Sequence, residues 1–573
     1  MAVRKPSQST GMNRVIDPTP TPPSPASPGD GADSPSESIA QSFPPAGRPE
    51  RGGLGRGRVL VNTLTAFGAR IGSLLISFVI TPLLIDALGA EQFGLYAIVS
   101  SLSAYYGILD LGIGASLVRY LTFYSERSEI NAVKQVITFG FLFYLVLGIG
   151  LIPFVIWGAP LFSRLMYLQG PQSREAELLL IITYIFFILS SMAGLVTARL
   201  VSLHRMNIVS GASLVAQVIY AGVLIVFVRR FPNLYFLIAA GFGQICVSTL
   251  MAYIVVQRLS PGFFCNPARI RPAFVRSLLR FGAWSQVCNL SAVINLEGDK
   301  LVLGTFLGVA EVMPYQVGNN AALLTRLLPV QFLSALLPDM TAAVSRGMTF
   351  EEKQASYAGH TRRLMMMTLF VAGFLIAMAD PFITVWIGRP LPLAAAAAIA
   401  LAVSYSVNNL TGIGTVFMKA EGLPKYEASY AVLSASTNIL LTIILTRRYG
   451  FYGVVGGTII GNCIGSLFFI VLFHRVTRFP WWSTMGTWLM RLVVGVAAAI
   501  IATRVCVSAL PGDWAQSRVL GGILLVASAL PYIATAVIIL TLLRFWRAED
   551  LDLLRALGSW FGGMRVKRKP SPS

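Results

Sequence analysis

From Val59 to Leu543 the chain is a succession of apolar segments of about twenty residues each, separated by short polar loops. A helix rising 1.5 Å per residue needs ~20 residues to cross a hydrocarbon layer ~30 Å thick, and only helices and closed barrels satisfy their backbone there. This spacing therefore predicts an all-α polytopic membrane protein. Composition agrees: 55% of residues are hydrophobic and only 12% charged, where a soluble domain carries about 25% charge to wet its surface.

The spans number about fourteen. Two sets of six run 59–85, 94–118, 135–157, 178–197, 208–228 and 234–257, then 281–304, 313–337, 364–387, 392–417, 426–446 and 451–473, followed by a pair at 487–509 and 519–543. An even count puts both termini on one side. Tails and loops on that side carry about 29 Lys and Arg, against about 8 in the opposite loops, so both termini are expected in the cytoplasm. The net charge of +20 is then a topological signature. It does not call for nucleic acid, since no basic stretch is interleaved with aromatics.

Residues 1–57, rich in Pro, Ser and Gly, lack the apolar mass for a core and read as a disordered cytoplasmic tail. The rest divides into a six-helix lobe at 58–257, a basic cytoplasmic linker at 258–280, a second lobe at 281–473, two additional helices within 474–543 and a basic tail at 544–573. In that tail Leu551, Leu554, Leu557 and Phe561 suit an interfacial helix or an ordinary stop-transfer flank.

The two lobes are copies. Phe67-Gly68-Ala69 matches Phe281-Gly282-Ala283, Leu88-Gly89 followed by Tyr96 matches Leu307-Gly308 followed by Tyr315, and Arg229-Arg230-Phe231 matches Arg447-Arg448-Tyr449, all at offsets of about 214 to 219 residues. Six is even, so the copies insert the same way up, related by an axis along the membrane normal, with a site expected where they meet.

Charges inside spans mark the candidate site, because they are costly there. Arg70 lies ~16 Å from the inner end of the first span, on a face shared with Asn62, Ser73, Ser77 and Thr81. Arg326 sits at similar depth in the eighth, sharing a face with Tyr315 and Asn319. Two readings apply to both arginines: a guanidinium fork presented to a phosphate or pyrophosphate, or an arginine paired with a helix carbonyl or a carboxylate. Asp110 is a counter-ion to Arg70, a proton site or an interfacial anchor. Asp299 and Lys300 form a coupling pair or neutralise each other, and the amides of Asn62, Asn319, Asn408 and Asn409 suit sugar hydroxyls or helix-to-helix hydrogen bonds.

Enzymes of this membrane class need long loops bearing carboxylates or arginines, and the longest outer loop, 158–177, is about twenty residues. No P-loop, HExxH or nucleophile elbow occurs. Five scattered cysteines and three isolated histidines offer neither a disulfide framework nor a metal site. No catalysis, metal or cofactor is expected.

Leu88-Gly89-Ala90-Glu91-Gln92-Phe93-Gly94-Leu95-Tyr96, Leu109-Asp110-Leu111-Gly112, Gly298-Asp299-Lys300-Leu301 and Glu421-Gly422-Leu423-Pro424-Lys425 resemble, in that order, the polysaccharide transporter branch of the multidrug/oligosaccharidyl-lipid/polysaccharide exporter superfamily, which includes Wzx-type O-antigen flippases. The resemblance implies a MATE-like fold in which two lobes surround a cationic cavity that opens alternately to either side. It implies as cargo an isoprenoid-pyrophosphate-linked oligosaccharide, the repeat unit of an O-antigen, capsule or exopolysaccharide. That cargo moves from the cytoplasmic to the periplasmic leaflet of the bacterial inner membrane, with membrane lipids and the polysaccharide polymerase or export machinery as partners. Fourteen helices are similar to the lipid II flippase branch, but a single Arg70 stands where that branch has a richer arginine pattern. The alternative within the superfamily is a cation-coupled multidrug extruder.

The topology is directly measurable. A reporter active only in the periplasm is expected to be silent when fused after Ser573 or within 258–276, and active within 158–177; activity at the C-terminus would overturn the even count.

Overall fold

The computed structural model describes residues 56–260, 272–509 and 517–547. The expected tail up to residue 55, the middle of the basic linker and the segment holding Leu551, Leu554, Leu557 and Phe561 lie outside the described residues. All regular elements among the described residues are helical.

The first half contains α1 (Arg56–Tyr106), α2 (Ile113–Glu126), α3 (Ile130–Leu165), α4 (Pro171–Ser202), α5 (Met206–Phe227) and α6 (Leu234–Leu259). The second contains α7 (Pro272–Phe306), α8 (Val312–Ala322), α9 (Leu324–Ser345), α10 (Phe350–Ile387), α11 (Pro392–Asn409), α12 (Gly412–Ala420), α13 (Lys425–Tyr449) and α14 (Phe451–Thr477). Last come α15 (Thr487–Ser508) and α16 (Arg518–Leu542).

Twelve helical stretches are long and apolar enough to cross a membrane. One of them contains two crossings, because α1 breaks at Gly89, where φ is +75°. Ser77, Thr81 and Leu84 line the same cavity as Phe93, Tyr96 and Ser100, as arms folded back about that glycine must. A further crossing is the 35-residue α7, which carries Glu297, Asp299 and Lys300 and is absent from those twelve. The total is about fourteen. Gly308, the repeat partner of Gly89, is also left-handed at φ +96°, a conformation that costs glycine least.

Loops are shorter than the apolar pattern predicts. The expected 158–177 loop shrinks to 166–170, because α3 continues through Pro153 and Pro160 and α4 starts with Pro171 at its first turn. Proline suits a helix start, and inside a membrane helix its neighbours compensate for the missing donor. Conversely, the expected second span at 94–118 is not one helix. It unwinds through a 3₁₀ turn at Gly107–Asp110, and Leu111 and Gly112 follow with φ of +52° and +73°. The eighth span breaks more mildly at Leu323.

The halves meet most extensively at the end that carries Gly89 and Gly308. There Ile80, Leu84 and Phe93 pack with Met313, Val317 and Ile383, and Ile98 with Val302 and Val309. Trp386 Nε1 donates to the Phe78 carbonyl at 2.7 Å. Toward the other end each half keeps its own core: Ile113, Leu117, Val136 and Leu195 in the first, Tyr357, Phe417, Phe469 and Phe473 in the second. The halves still touch through α2 and α7, and Gln286 Nε2 donates to the Ile108 carbonyl at 2.7 Å.

Helices α15 and α16 dock on α10. Tyr532 donates to the Phe370 carbonyl at 2.9 Å, Arg504 to the Ile376 carbonyl at 2.9 Å and Arg362 to the Phe545 carbonyl at 2.7 Å. The far side of α16 exposes Val526 and Leu530 at 75% and 71%, which is a lipid-facing surface.

Between α13 and α14 the backbones approach closely along Gly453, Gly457, Gly461 and Gly465, one per turn. A Cβ at Gly457 would stand 2.6 Å from Thr442 Cα, and one at Gly461 2.5 Å from Asn438 Cα. Such small-residue seams drive helix association in lipid, where burial of apolar surface gives no net gain. Gly461→Ala is therefore expected to cost about 1–3 kcal/mol and to lower the apparent melting temperature of the detergent-solubilised protein. Gly456→Ala, with nothing within 4 Å of its Cβ, is expected to change it little. Equal behaviour of the two variants in a heating series read by size-exclusion chromatography would refute the close seam.

Candidate functional site

The charged turn of α7 separates by helical geometry. Residues three apart share a face, so Glu297 and Lys300 pair at 2.6 Å while Asp299 points elsewhere. Asp299 is buried and accepts hydrogen bonds from Tyr315, from Thr458 Oγ1 at 2.6 Å and from Thr442 Oγ1 at 3.5 Å. The expected pairing of Asp299 with Lys300 is thus replaced by two arrangements. Adjacent residues on a helix point about 100° apart, and each found its own partners.

From Asp299 a polar ladder follows the glycine seam. Thr442 donates to Asn438 Oδ1 at 3.0 Å, and Asn438 Nδ2 to Asn295 Oδ1 at 3.1 Å. Ser434 donates to Asn462 Oδ1 at 3.1 Å, and Asn462 Nδ2 to Ser404 Oγ at 2.8 Å. Each of these groups is satisfied within the protein, as a medium without water requires.

Asn295 and Asn462 reach the wall of a cavity of about 260 Å³ inside the second half. Arg326, Tyr405, Asn408, Asn409, Glu427 and Tyr430 also line it. The Arg326 guanidinium lies over the Tyr405 ring, 5.1 Å from its centroid, and among the described residues it has no ion pair and no carbonyl acceptor. Glu427, in the same wall, is engaged with Lys419 at 2.9 Å. Asn408 donates to Tyr430, Asn409 spans Thr325 and Thr368 at 3.4 Å each, and Asn319 accepts from Tyr405 at 2.7 Å. Of the four expected sugar-binding amides, Asn408 and Asn409 line this cavity and Asn319 braces its aromatic wall.

A second cavity, about 280 Å³, lies between the halves and is lined by α1, α5, α7 and α8. Lys300 and Glu297 enter it from α7, Gln316 and Asn320 from α8, and Gln217 and Tyr220 from α5.

The remaining candidates lie apart. Arg70 is exposed and has no carboxylate partner among the described residues. It shares a helix face with Ser73, which donates to Gln217 at 2.5 Å, and with Ser77 on the cavity between the halves. Asp110 does not meet Arg70. Its carboxylate takes the Gly114 N–H at 3.0 Å and the Tyr144 hydroxyl at 2.5 Å, closing the start of α2 after the break as an N-terminal cap does. Asn62 is also occupied: it donates to the His204 carbonyl and accepts from Asn207 N–H, both at 3.2 Å, holding the turn between α4 and α5.

Sequence reasoning missed Gln217, Gln316, Asn320, Tyr405 and Tyr430. Gln316 and Asn320 lie four apart, one residue along from the Tyr315 and Asn319 pair, and that second polar stripe was readable. The aromatic wall was not, since it depends on how α11 and α13 face α9.

Comparison with known proteins places this geometry. A family described as polysaccharide biosynthesis protein matches residues 59–344. An uncharacterized membrane protein, EpsK, of Bacillus subtilis is 25% identical over 77% of this chain and 87% of its own length. A putative O-antigen transporter of Shigella flexneri is 21% identical over 64% of this chain and 86% of its own. Among solved structures, the lipid II flippase MurJ in an inward closed conformation superposes with a TM-score of 0.60 at 16% identity, covering 84% of this chain and 99% of that one. An inward-facing multidrug resistance transporter of the MATE family gives 0.55 at 15%, over 74% and 97%. The family match and the solved structures agree in kind: the chain belongs to the polysaccharide biosynthesis protein family, and its fold is that of the MATE transporters and the lipid II flippase.

Proposed function

We propose that this protein is a flippase that carries an isoprenoid-pyrophosphate-linked oligosaccharide from the cytoplasmic to the periplasmic leaflet of a bacterial inner membrane. Both termini are cytoplasmic in this reading. The observation that carries it is Arg326: a cation inside a membrane-embedded cavity, held by stacking on Tyr405 and left without an anion among the described residues. An arginine within a membrane span is costly unless something pairs with it, and its planar fork fits two phosphate oxygens at once. Arg70, likewise without a carboxylate, supplies a second cation from the other half. Relatives described as a putative O-antigen transporter and a probable flippase support the same class of cargo.

In this reading the chain works by alternating access and performs no bond chemistry. The halves seal the Gly89 and Gly308 end, and the headgroup enters from the linker end toward Arg326. The glycine-seamed pair α13 and α14 moves as one plate, with Asp299 fixed between that plate and Tyr315. Loss of the protein is expected to trap completed lipid-linked oligosaccharide on the cytoplasmic leaflet while its synthesis continues.

Arg326→Ala is expected to fold near normally and to lower flipping in proteoliposomes by about 10- to 100-fold, the cost of one or two charge-assisted hydrogen bonds. Arg326→Lys recovers only part, because it keeps the charge and loses the fork. Arg70→Ala is expected to act in the same direction. Wild-type rates per folded molecule in both alanine variants would remove these arginines from the site.

A further inference from the structure

We propose that the cavity between the halves is a separate glycan subsite, which takes an uncharged, hydroxyl-rich sugar of the cargo while the pyrophosphate is held at Arg326. This rests on the flippase reading and adds where, and by what groups, the glycan is recognised.

Four observations carry it. First, the cavity offers unspent donors and acceptors side by side. Gln316 spends its Nε2 on Asn320 Oδ1 at 2.8 Å, and its Oε1 is buried with no hydrogen-bond partner. A buried, unsatisfied amide oxygen costs on the order of 1–3 kcal/mol, so it marks a place where a ligand donor is missing. Lys300 has three N–H donors, of which Glu297 takes one. A hydroxyl is both donor and acceptor, so a sugar ring with neighbouring hydroxyls can meet the amide oxygen, the ammonium and the carboxylate together.

Second, the Glu297 and Lys300 charges cancel at 2.6 Å. A phosphate here would meet the Glu297 carboxylate as a like charge beside a cation already neutralised, whereas a neutral polyol would not. Third, Phe93, Tyr96 and Tyr220 line the same space and provide apolar ring faces beside the polar edge, which suits the amphipathic faces of a pyranose. Fourth, the two cavities are neighbours. Asn295 and Leu296 line the Arg326 cavity while Glu297 and Lys300 line this one, so a single turn of α7 separates them. Along α8 and α9, Asn320 and Arg326 are six residues apart, ~9 Å. One molecule with a pyrophosphate joined directly to a sugar can reach both.

The test compares two lipids in proteoliposomes: undecaprenyl diphosphate bearing an uncharged disaccharide, and undecaprenyl diphosphate with no sugar. The readout is the ratio of their flipping rates per folded molecule. Gln316→Leu is expected to lower that ratio, glycan-bearing over bare, about tenfold, the factor for one buried hydrogen bond. Asn320→Ala, which frees the Gln316 amide from the Asn320 contact, is expected to lower it as well and stands in should Gln316→Leu fail to fold. Arg326→Ala is expected to slow both lipids and leave the ratio in place. An unchanged ratio in the Gln316 and Asn320 variants overturns the glycan subsite and leaves the flippase reading standing. If the wild-type protein moves neither lipid, the flippase reading fails and the subsite falls with it.

Discussion

Hydrocarbon offers no hydrogen bonds, and the architecture is organised around that deficit. Wherever a helix is interrupted, the freed backbone groups must find partners inside the protein. The break at 107–112 shows the solution. Asp110 takes the Gly114 N–H and is itself held by Tyr144, while Gln286 reaches from the second half to the Ile108 carbonyl. Of the roles open to Asp110 in sequence, the structure thus shows it anchoring the broken helix. Its position also makes the break a joint where the two halves touch, since α2 and α7 are neighbours there.

The same deficit explains the seam between α13 and α14. Glycines at every turn bring the two backbones together, and that approach places Ser434, Asn438 and Thr442 within hydrogen-bonding reach of α7 and α14. Bulkier residues would push the helices apart and strand a row of buried amides and hydroxyls without partners. Small residues thus let a polar interior exist in a membrane protein. Arg326 differs from that interior in having no anion among the described residues, the feature on which its proposed role rests.

Much of this was legible from residue order. The spans follow from hydropathy, and the equivalence of Gly89 with Gly308, read from short motifs repeating at a nearly constant offset, is matched by a positive φ at both glycines. What escaped was set by packing. Pro160 falls in the expected loop but lies inside α3, because a membrane helix can pass a proline when its neighbours repair the lost bond. Asp299 and Lys300 look like partners in a one-dimensional reading, and the helix sends them to different sides. Asn62 suits a sugar hydroxyl and Asp110 a counter-ion, a proton site or an anchor, yet each is engaged by backbone close to it in the fold. In each case residue type was informative about cost, and only the fold showed who bears it.

Gly94 illustrates how a single missing side chain can weigh on the whole transport cycle. It lies in the second arm of α1, directly against the carbonyl of Val309, and a Cβ there would overlap that oxygen. The contact joins the two halves at their sealed end. A methyl group at this position would penalise the packing of the halves at this contact, and in the proposed alternating-access cycle it would do so only in the sealed form. In population terms it would act like a ligand that binds only the opened form, shifting the equilibrium by its differential energy alone. Under the proposed cycle the glycine is thereby a thermodynamic set point: it keeps the sealed form accessible, so that cargo rather than steric pressure decides which side of the membrane the protein faces.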